Sequence, residues 1–194
     1  MHFMRFYIAL FFIFLIACPT AAMANDNPIE VVADEALEWD RANQKVTATG
    51  NAIVTQGDSN IQAPIITANY SENGNDMTIQ SVIAQPNAVL TRPSEVLSAN
   101  SLRADFDNGI LSSVTATENV VLKTANEVLY GDRGVYDAQR RIITVTGNVR
   151  IEQDNNVLTG TKAEFDLNTN ISRLSNDKTS NDGRVRAVFG GGGQ

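Results

Sequence analysis

The sequence predicts an all-β protein, a twisted antiparallel β-jellyroll built from repeated hairpins of about 30 residues, with open ends. From Ile29 onward, apolar and polar residues alternate, and no window has the apolar spacing of an amphipathic helix. Clusters of Asp, Asn and Gly separate the alternating runs, as turns do between short strands. Two short patterns also recur at a nearly constant interval, which indicates a repeat architecture.

The first 24 residues have the features of a secretion signal. Met1–Arg5 carries a positive charge, Phe6–Ala17 is apolar, and Ala22–Ala24 has the small-x-small pattern of a cleavage site. These features predict a cleaved signal peptide over residues 1–24, with the exported chain beginning at Asn25. An uncleaved membrane anchor is one alternative. A lipoprotein is another, because the residues up to Cys18 resemble a lipobox and Cys18 would then be acylated.

Composition excludes several classes of function. The chain has 15 Lys and Arg against 22 Asp and Glu, a formal net charge of −7 and no basic run, so no nucleic-acid partner is expected. The only His, His2, and the only Cys, Cys18, lie in the predicted signal. Zinc sites with His or Cys ligands and His-dependent catalysis are therefore excluded from the exported chain. We predict no catalytic residue, no metal and no cofactor.

The first recurring pattern has a small or apolar residue two positions before an aromatic residue, usually with Asp after the aromatic. The aromatics follow one another at intervals of 31, 36, 30 and 29 residues. Because side chains alternate across a strand, the aromatics are expected inside: Trp39, Tyr70, Phe106, Tyr136 and Phe165. The Asp residues are expected to cap turns: Asp40, Asp107, Asp137 and Asp166.

The second pattern is an Asn followed by an apolar, any and an apolar residue, beginning at Asn51, Asn87, Asn119 and Asn148. We interpret the residues at the Asn, such as Thr49–Asn51, as hairpin turns. The apolar positions are then inward: Ala52, Val54, Ala88, Leu90, Val120, Leu122, Val149 and Ile151. Four residues of the preceding strands share this parity: Val46, Ala48, Ile143 and Val145.

Each repeat supplies two strands with one apolar face, so the repeats must stack to form a core, either as an antiparallel jellyroll or as a β-solenoid. We predict a single domain over residues 25–189 and a disordered Gly-rich tail over residues 190–194. The ends of the stack would present unpaired strand edges. The last strand is a candidate interaction edge, with three residues of inward parity: Val185, Ala187 and Phe189.

The chain resembles the LptA (OstA-like) family of periplasmic lipopolysaccharide-transport proteins. The likeness begins at Pro28–Asp34, continues through Thr49–Gly57 and Ile61–Ala63, and returns in Tyr136–Phe165 and Arg184–Phe189. It covers nearly the whole exported chain. The sequence departs from the family pattern between residues 39 and 46 and between residues 84 and 98.

This resemblance implies a non-enzymatic bridge component of the periplasm, with a jellyroll groove that shields the acyl chains of lipopolysaccharide. It also implies partners: LptC-like and LptD-like jellyroll proteins, and further copies of the chain stacked end to end. Small side chains such as Ala52, Ala88, Ala104 and Gly134 would leave room for alkyl chains. Exposed strand edges suit such stacking, because an added strand completes their hydrogen bonds.

The resemblance places acyl-chain contacts at Ile29, Val31 and Val46, and the parity of the repeats extends the predicted groove. The full predicted set is Ile29, Val31, Trp39, Val46, Ala52, Val54, Tyr70, Leu90, Phe106, Val120, Leu122, Tyr136, Ile143, Val145, Ile151 and Phe165. Two alternatives stay open. One is an LptC-like membrane-tethered or lipoprotein adaptor, and the other is a carbohydrate-active β-solenoid.

Overall fold

The computed structural model describes residues 29–74, 76–169, 171–176 and 184–190. Within these ranges the chain forms no helix and fourteen strands: β1 Glu30–Val32, β2 Ala36–Asp40, β3 Lys45–Gln56, β4 Ser59–Asn73, β5 Asp76–Gln85, β6 Ala88–Arg92, β7 Glu95–Ala99, β8 Ser101–Asp107, β9 Ile110–Thr124, β10 Glu127–Asp137, β11 Ile142–Gln153, β12 Asn156–Asp166, β13 Ile171–Ser175 and β14 Arg186–Phe189. The all-β prediction is confirmed. The expected signal peptide, Cys18 and residues 191–194 lie outside the described residues.

Every strand pair is antiparallel, and the strands form two half-sheets that share the long strands β3, β4, β9, β10, β11 and β12. The first half-sheet adds β2, β5, β8 and β13 to these long strands, and the second adds β1, β6, β7 and β14. At one end β1 and β2 pair only with β3, and at the other β13 and β14 pair only with β12. The antiparallel, jellyroll-like stack with open ends agrees with the prediction.

The long strands bend where they pass between the half-sheets. In β3 and β11 the register shifts at Gly50-Asn51 and Gly147-Asn148, and the two Asn residues have φ angles of 41° and 45°. The interpretation of Thr49–Asn51 as a hairpin turn was therefore wrong. These residues form a β-bulge inside one continuous strand, and a bulge bends a strand without ending it.

The predicted capping role is confirmed for three of the four Asp residues. Asp40 accepts a hydrogen bond from the backbone N–H of Asn43 at 3.0 Å, and Asp137 accepts one from Arg140 at 2.9 Å. Asp166 accepts two, from the backbone N–H groups of residues 168 and 169. Asp107 instead accepts a hydrogen bond from the side chain of its neighbour Asn108. Each of these turns joins two strands of the first half-sheet.

The core lies between the half-sheets, and the predicted parity of the aliphatic residues is confirmed. All twelve aliphatic positions predicted inward from the recurring patterns are buried or half-buried. Tyr70 and Phe165 are also buried, and Tyr136 is half-buried. Small residues such as Ala52 and Ala63 fill the core near the bend.

Two predictions of burial were wrong, and both concern residues at the open ends. Trp39 was expected inside, but it is 52% exposed because β2 has a neighbour on one side only. Val185, Ala187 and Phe189 were also expected to be buried, but all three are exposed and Phe189 is 63% exposed. Parity assigns a face to a residue, but only a covering strand buries it.

Candidate functional site

Three continuous rows of residues line the inner face, because residues directly opposite each other on antiparallel strands share one side of the sheet. Each row crosses ten strands, from one open end to the other. In the first half-sheet the rows are Trp39, Val46, Ala68, Val82, Ala104, Val114, Tyr136, Ile143, Phe165 and Ser172, and Leu37, Ala48, Ile66, Ala84, Leu102, Ala116, Gly134, Val145, Ala163 and Leu174. The row of the second half-sheet is Val31, Val54, Ile61, Leu90, Leu97, Leu122, Leu129, Ile151, Leu158 and Ala187. Apart from Ser172, every residue in these rows is apolar.

The rows do not close completely, and an apolar cavity of about 100 Å³ remains between the half-sheets. Its lining comes from both half-sheets: Leu90, Glu95, Leu97, Val114, Ala116, Val120, Leu122, Leu129, Gly134, Val135, Tyr136, Ile143, Val145 and Leu167. Six of these residues belong to the predicted groove: Leu90, Val120, Leu122, Tyr136, Ile143 and Val145. The structure therefore brings these six together around one space.

The other predicted groove residues are spread over the molecule. Ala52, Val54, Ile151 and Phe165 pack in or against the core and do not line the cavity. Tyr70 is buried, and its hydroxyl accepts a hydrogen bond of 2.7 Å from the indole N–H of Trp39. Val46 and Phe106 are half-buried and do not line the cavity. Ile29, Val31 and Trp39 are exposed at the open end formed by β1 and β2.

Sequence reasoning missed several residues that line the cavity, chiefly Leu97, Ala116, Leu129 and Leu167. Leu97 lies in the stretch where the recurring patterns are least regular. Leu129 stands opposite Leu122 across the β9–β10 hairpin, so pairing the two strands around their turn would have found it. The sequence gives no indication that Glu95 lines the cavity, since an isolated acidic residue in a strand usually faces solvent.

A polar rim borders the cavity on the side of the second half-sheet. We use this name for the next inward position beyond the row that contains Leu90 and Leu129: Arg92, Glu95, Thr124, Glu127, Gln153 and Asn156. Each of these residues is half-buried. The guanidinium of Arg92 lies 3.5 Å from the carboxylate of Glu95. Burial raises the pKa of the Glu127 carboxyl above its ordinary value.

Among the described residues, most of the large apolar side chains that are exposed lie at the open ends. At the first end these are Ile29, Val31, Val32, Leu37 and Trp39, and at the other Ile171, Val185, Val188 and Phe189. Arg41 lies over the Trp39 ring, with its guanidinium carbon 5.0 Å from the ring centroid. Apolar residues on an unpaired strand edge mark a surface that can accept another strand.

Two further observations concern the described residues only. They contain no cluster of three or more His, Cys, Asp or Glu side chains in a metal-binding arrangement. No helix long and apolar enough to cross a membrane occurs among them.

The fold and the site define a β-groove protein, in which two half-sheets enclose an apolar interior between open ends. A family model described as "LptA/(LptD N-terminal domain) LPS transport protein" matches residues 30–171. The chain belongs to this family, which is a family of transport proteins. The resemblance inferred from the sequence is thereby confirmed.

Two known proteins show where the chain stands among its relatives. An uncharacterized protein of Rhizobium meliloti (strain 1021) is 30% identical over 114 residues, which are 59% of this chain and 59% of the relative. The chain thus matches about three-fifths of that relative's length. The crystal structure of LptH, the LptA-homologous periplasmic component of the lipopolysaccharide transport device of Pseudomonas aeruginosa, aligns with 86% of this chain and 97% of its own. Its identity to this chain is 18% and the TM-score is 0.34.

Proposed function

We propose that this protein is a periplasmic carrier of lipopolysaccharide, which holds the acyl chains between the half-sheets while the lipid moves from the inner to the outer membrane. One observation carries the proposal: three apolar rows run from end to end of the inner face and border a cavity of about 100 Å³. Membership of a lipopolysaccharide-transport family supports the choice of lipid.

The energetics of the groove suit a carrier. Each methylene group that leaves water contributes about 0.8 kcal/mol, so a few methylenes in the cavity supply a useful affinity without charged contacts. Because the rows continue past the cavity to both open ends, an acyl chain can move along the inner face without crossing a polar barrier. The sugars would remain in water beyond the polar rim.

The open ends support a bridge assembled from several jellyrolls. In this proposal β1 and β2 of one copy pair with β13 and β14 of the next, and the apolar rows of the two copies become continuous. LptC-like and LptD-like jellyrolls would occupy the terminal edges in the same way. The exposed apolar residues of both ends, including Leu37 and Phe189, would then be buried.

Two tyrosines of β10 provide a matched test by photo-crosslinking. Tyr136 lines the cavity, whereas Tyr130 stands opposite Arg150 on the outer face of the same strand. A benzoylphenylalanine at either position replaces one aromatic ring by another. In cells that export lipopolysaccharide, we expect crosslinks to the lipid from position 136 and few from position 130.

Equal crosslinking from the two positions would show contact with the surface of the protein and would contradict the groove. No crosslink from position 136, with normal export and normal protein levels, would refute the proposed carrier function. The mass of the exported protein provides a separate check, because a chain that begins at Asn25 excludes both a lipoprotein and an uncleaved anchor.

A further inference from the structure

We propose that Arg92 forms an anion subsite on the polar rim, which binds the phosphate or carboxylate of an amphiphile whose alkyl chain occupies the cavity. The proposal rests on the carrier function above and names the headgroup chemistry that the same site selects. It also gives the bound lipid an orientation, with its charged group at the rim of the second half-sheet.

Arg92 is the one Lys or Arg on the inner face of the described strands. It follows Leu90 by two positions in β6 and therefore shares the parity of that cavity residue. The other basic residues of the described strands pair with outward positions: Lys45, Arg103, Lys123, Arg133, Arg150, Lys162, Arg173 and Arg186. Among the described strands, Arg92 is therefore the cation that an anion inside the groove would meet.

The ion pair of Arg92 differs from the other ion pairs of the described residues. The pairs Arg103–Asp105, Arg150–Glu152 and Lys162–Glu164 lie on the outer face, with side chains between 33% and 50% exposed. Arg92 and Glu95 are only 16% and 20% exposed, and Glu95 lines the cavity. Burying such a pair costs desolvation energy that apolar residues of similar size would avoid. Stability alone does not account for its position.

The geometry of the pair favours exchange of the carboxylate for a ligand. The Arg92–Glu95 distance of 3.5 Å is longer than the roughly 2.7–2.9 Å of a strong charge-assisted hydrogen bond. The planar guanidinium can donate two parallel hydrogen bonds to a phosphate or carboxylate. Two residues along the strand, or about 7 Å, separate Arg92 from Leu90, so one amphiphile can reach both.

The same surroundings argue for a lipid headgroup over a free anion. Glu95 and Glu127 are both on the polar rim, and their negative charge opposes the binding of any anion there. Apolar contact in the cavity must therefore supply most of the affinity. Arg92 adds selectivity between headgroups, and inorganic phosphate by itself should bind poorly.

Displacement of a neutral fluorescent probe, N-phenyl-1-naphthylamine, from the groove tests the subsite. The competitors are dodecyl phosphate, dodecanoate, neutral dodecyl maltoside and inorganic phosphate, all below micellar concentrations. For Arg92→Gln we expect about tenfold weaker binding of dodecyl phosphate and dodecanoate, with dodecyl maltoside unchanged. The matched control is Arg103→Gln, which removes an outer-face Arg that is also paired with a carboxylate, and it should change nothing.

A second variant separates recognition from folding. Glu95→Gln removes the competing carboxylate and keeps Arg92, so the affinity for dodecyl phosphate should rise several-fold. An unchanged or lower affinity in this variant would overturn the subsite, as would equal losses for all three amphiphiles in Arg92→Gln.

The competitors also distinguish the source of the anion and the two proposals. Displacement by inorganic phosphate alone would overturn the lipid headgroup as the source of the anion. If no amphiphile displaces the probe from the wild-type protein, the carrier function itself fails. If dodecyl maltoside binds normally but Arg92→Gln has no effect, only the subsite fails.

Discussion

The recurring Asn residues are explained by the backbone angles at the bends. All four Asn residues of the second pattern have positive φ, with values of 41° at Asn51, 52° at Asn87, 54° at Asn119 and 45° at Asn148. Asn adopts this region more readily than most residues that have a Cβ atom. The side chains of Asn51 and Asn148 also donate hydrogen bonds of 2.8 and 2.9 Å to Asp34 and Asp132.

Gly147 allows this arrangement because it has no side chain. Its φ is +76°, and a Cβ atom there would collide with the carboxyl group of Asp132. Gly147→Ala should therefore lower the free energy of unfolding by about 2 kcal/mol or more in urea titrations. Gly74→Ala is the control, since its φ is +65° but a Cβ atom would have no neighbour within 4 Å. That change should cost about 1 kcal/mol. Equal losses would contradict the packing of Asp132 at the bend.

Because the carboxyl of Glu127 is half-buried, replacing it with an amide should stabilise the protein by an amount that depends on pH. Burial raises the pKa of this carboxyl above the ordinary value for glutamate, so the charged form is less favourable in the folded protein than in the unfolded chain. This penalty is absent below the unfolded pKa, grows as pH rises toward the folded pKa and is complete above it. Glu127→Gln should thus stabilise the protein at pH 7 and lose that advantage near pH 4.

Thermal unfolding of Glu127→Gln at the two pH values measures this difference. The exposed Glu72 near the end of β4 provides a control, and Glu72→Gln should leave stability nearly unchanged at both. A gain for Glu127→Gln of the same size at pH 4 and pH 7 would show that the amide improves packing and that charge is not involved.

At the scale of the strand, the sequence predicted correctly which side of the sheet the recurring apolar residues face. It predicted less well where a strand ends. Period-2 alternation placed Ala52 and Val149 inside, and both are almost fully buried. It did not distinguish a bulge from a turn at Thr49–Asn51, because Gly and Asn with positive φ serve in both. The distinction depends on which strand lies opposite, and that information is not local to the segment.

The edge strands predict a surface for self-association. Val188 is 45% exposed on β14, and a Lys there would place a charge on the edge that a second copy must approach. We expect Val188→Lys to weaken end-to-end association about tenfold in sedimentation velocity experiments, while the monomer remains folded. A wild-type protein that is monomeric at every concentration would contradict the proposed edge.

Ile110 supplies the control for this measurement. It is 72% exposed at the start of β9, away from both open ends, so Ile110→Lys removes a larger exposed apolar surface without touching an edge. Its self-association should equal that of the wild type. If both variants associate equally weakly, general surface hydrophobicity drives the assembly, and strand pairing does not.

For the molecule as a whole, the sequence predicted many of the residues that line the cavity, but it did not predict where the cavity begins and ends. The patterns identified six cavity residues, including Val120 and Tyr136, because these lie on regular repeats. They did not show where the half-sheets separate, since Ala52 packs in the core and Val145 lines the cavity with the same parity. The space between two layers depends on the volumes of side chains far apart in sequence.

An unfilled apolar cavity lowers the stability of a core, so filling the cavity between the half-sheets should raise it. Ala116 is 3% exposed and lines this cavity, so Ala116→Leu should fill part of it, raise the free energy of unfolding by about 1 kcal/mol and weaken lipid binding. Ala99 is equally small and 5% exposed but packs in the core outside the cavity. Ala99→Leu should therefore overpack the core and lower the free energy of unfolding by about 1–3 kcal/mol.

Urea unfolding measures the free energy of unfolding of the two variants, and probe displacement by dodecyl maltoside measures their lipid binding. Opposite stability changes in the two variants would mark the cavity as a space kept open for a ligand, and losses in both would show that the interior has no room to spare.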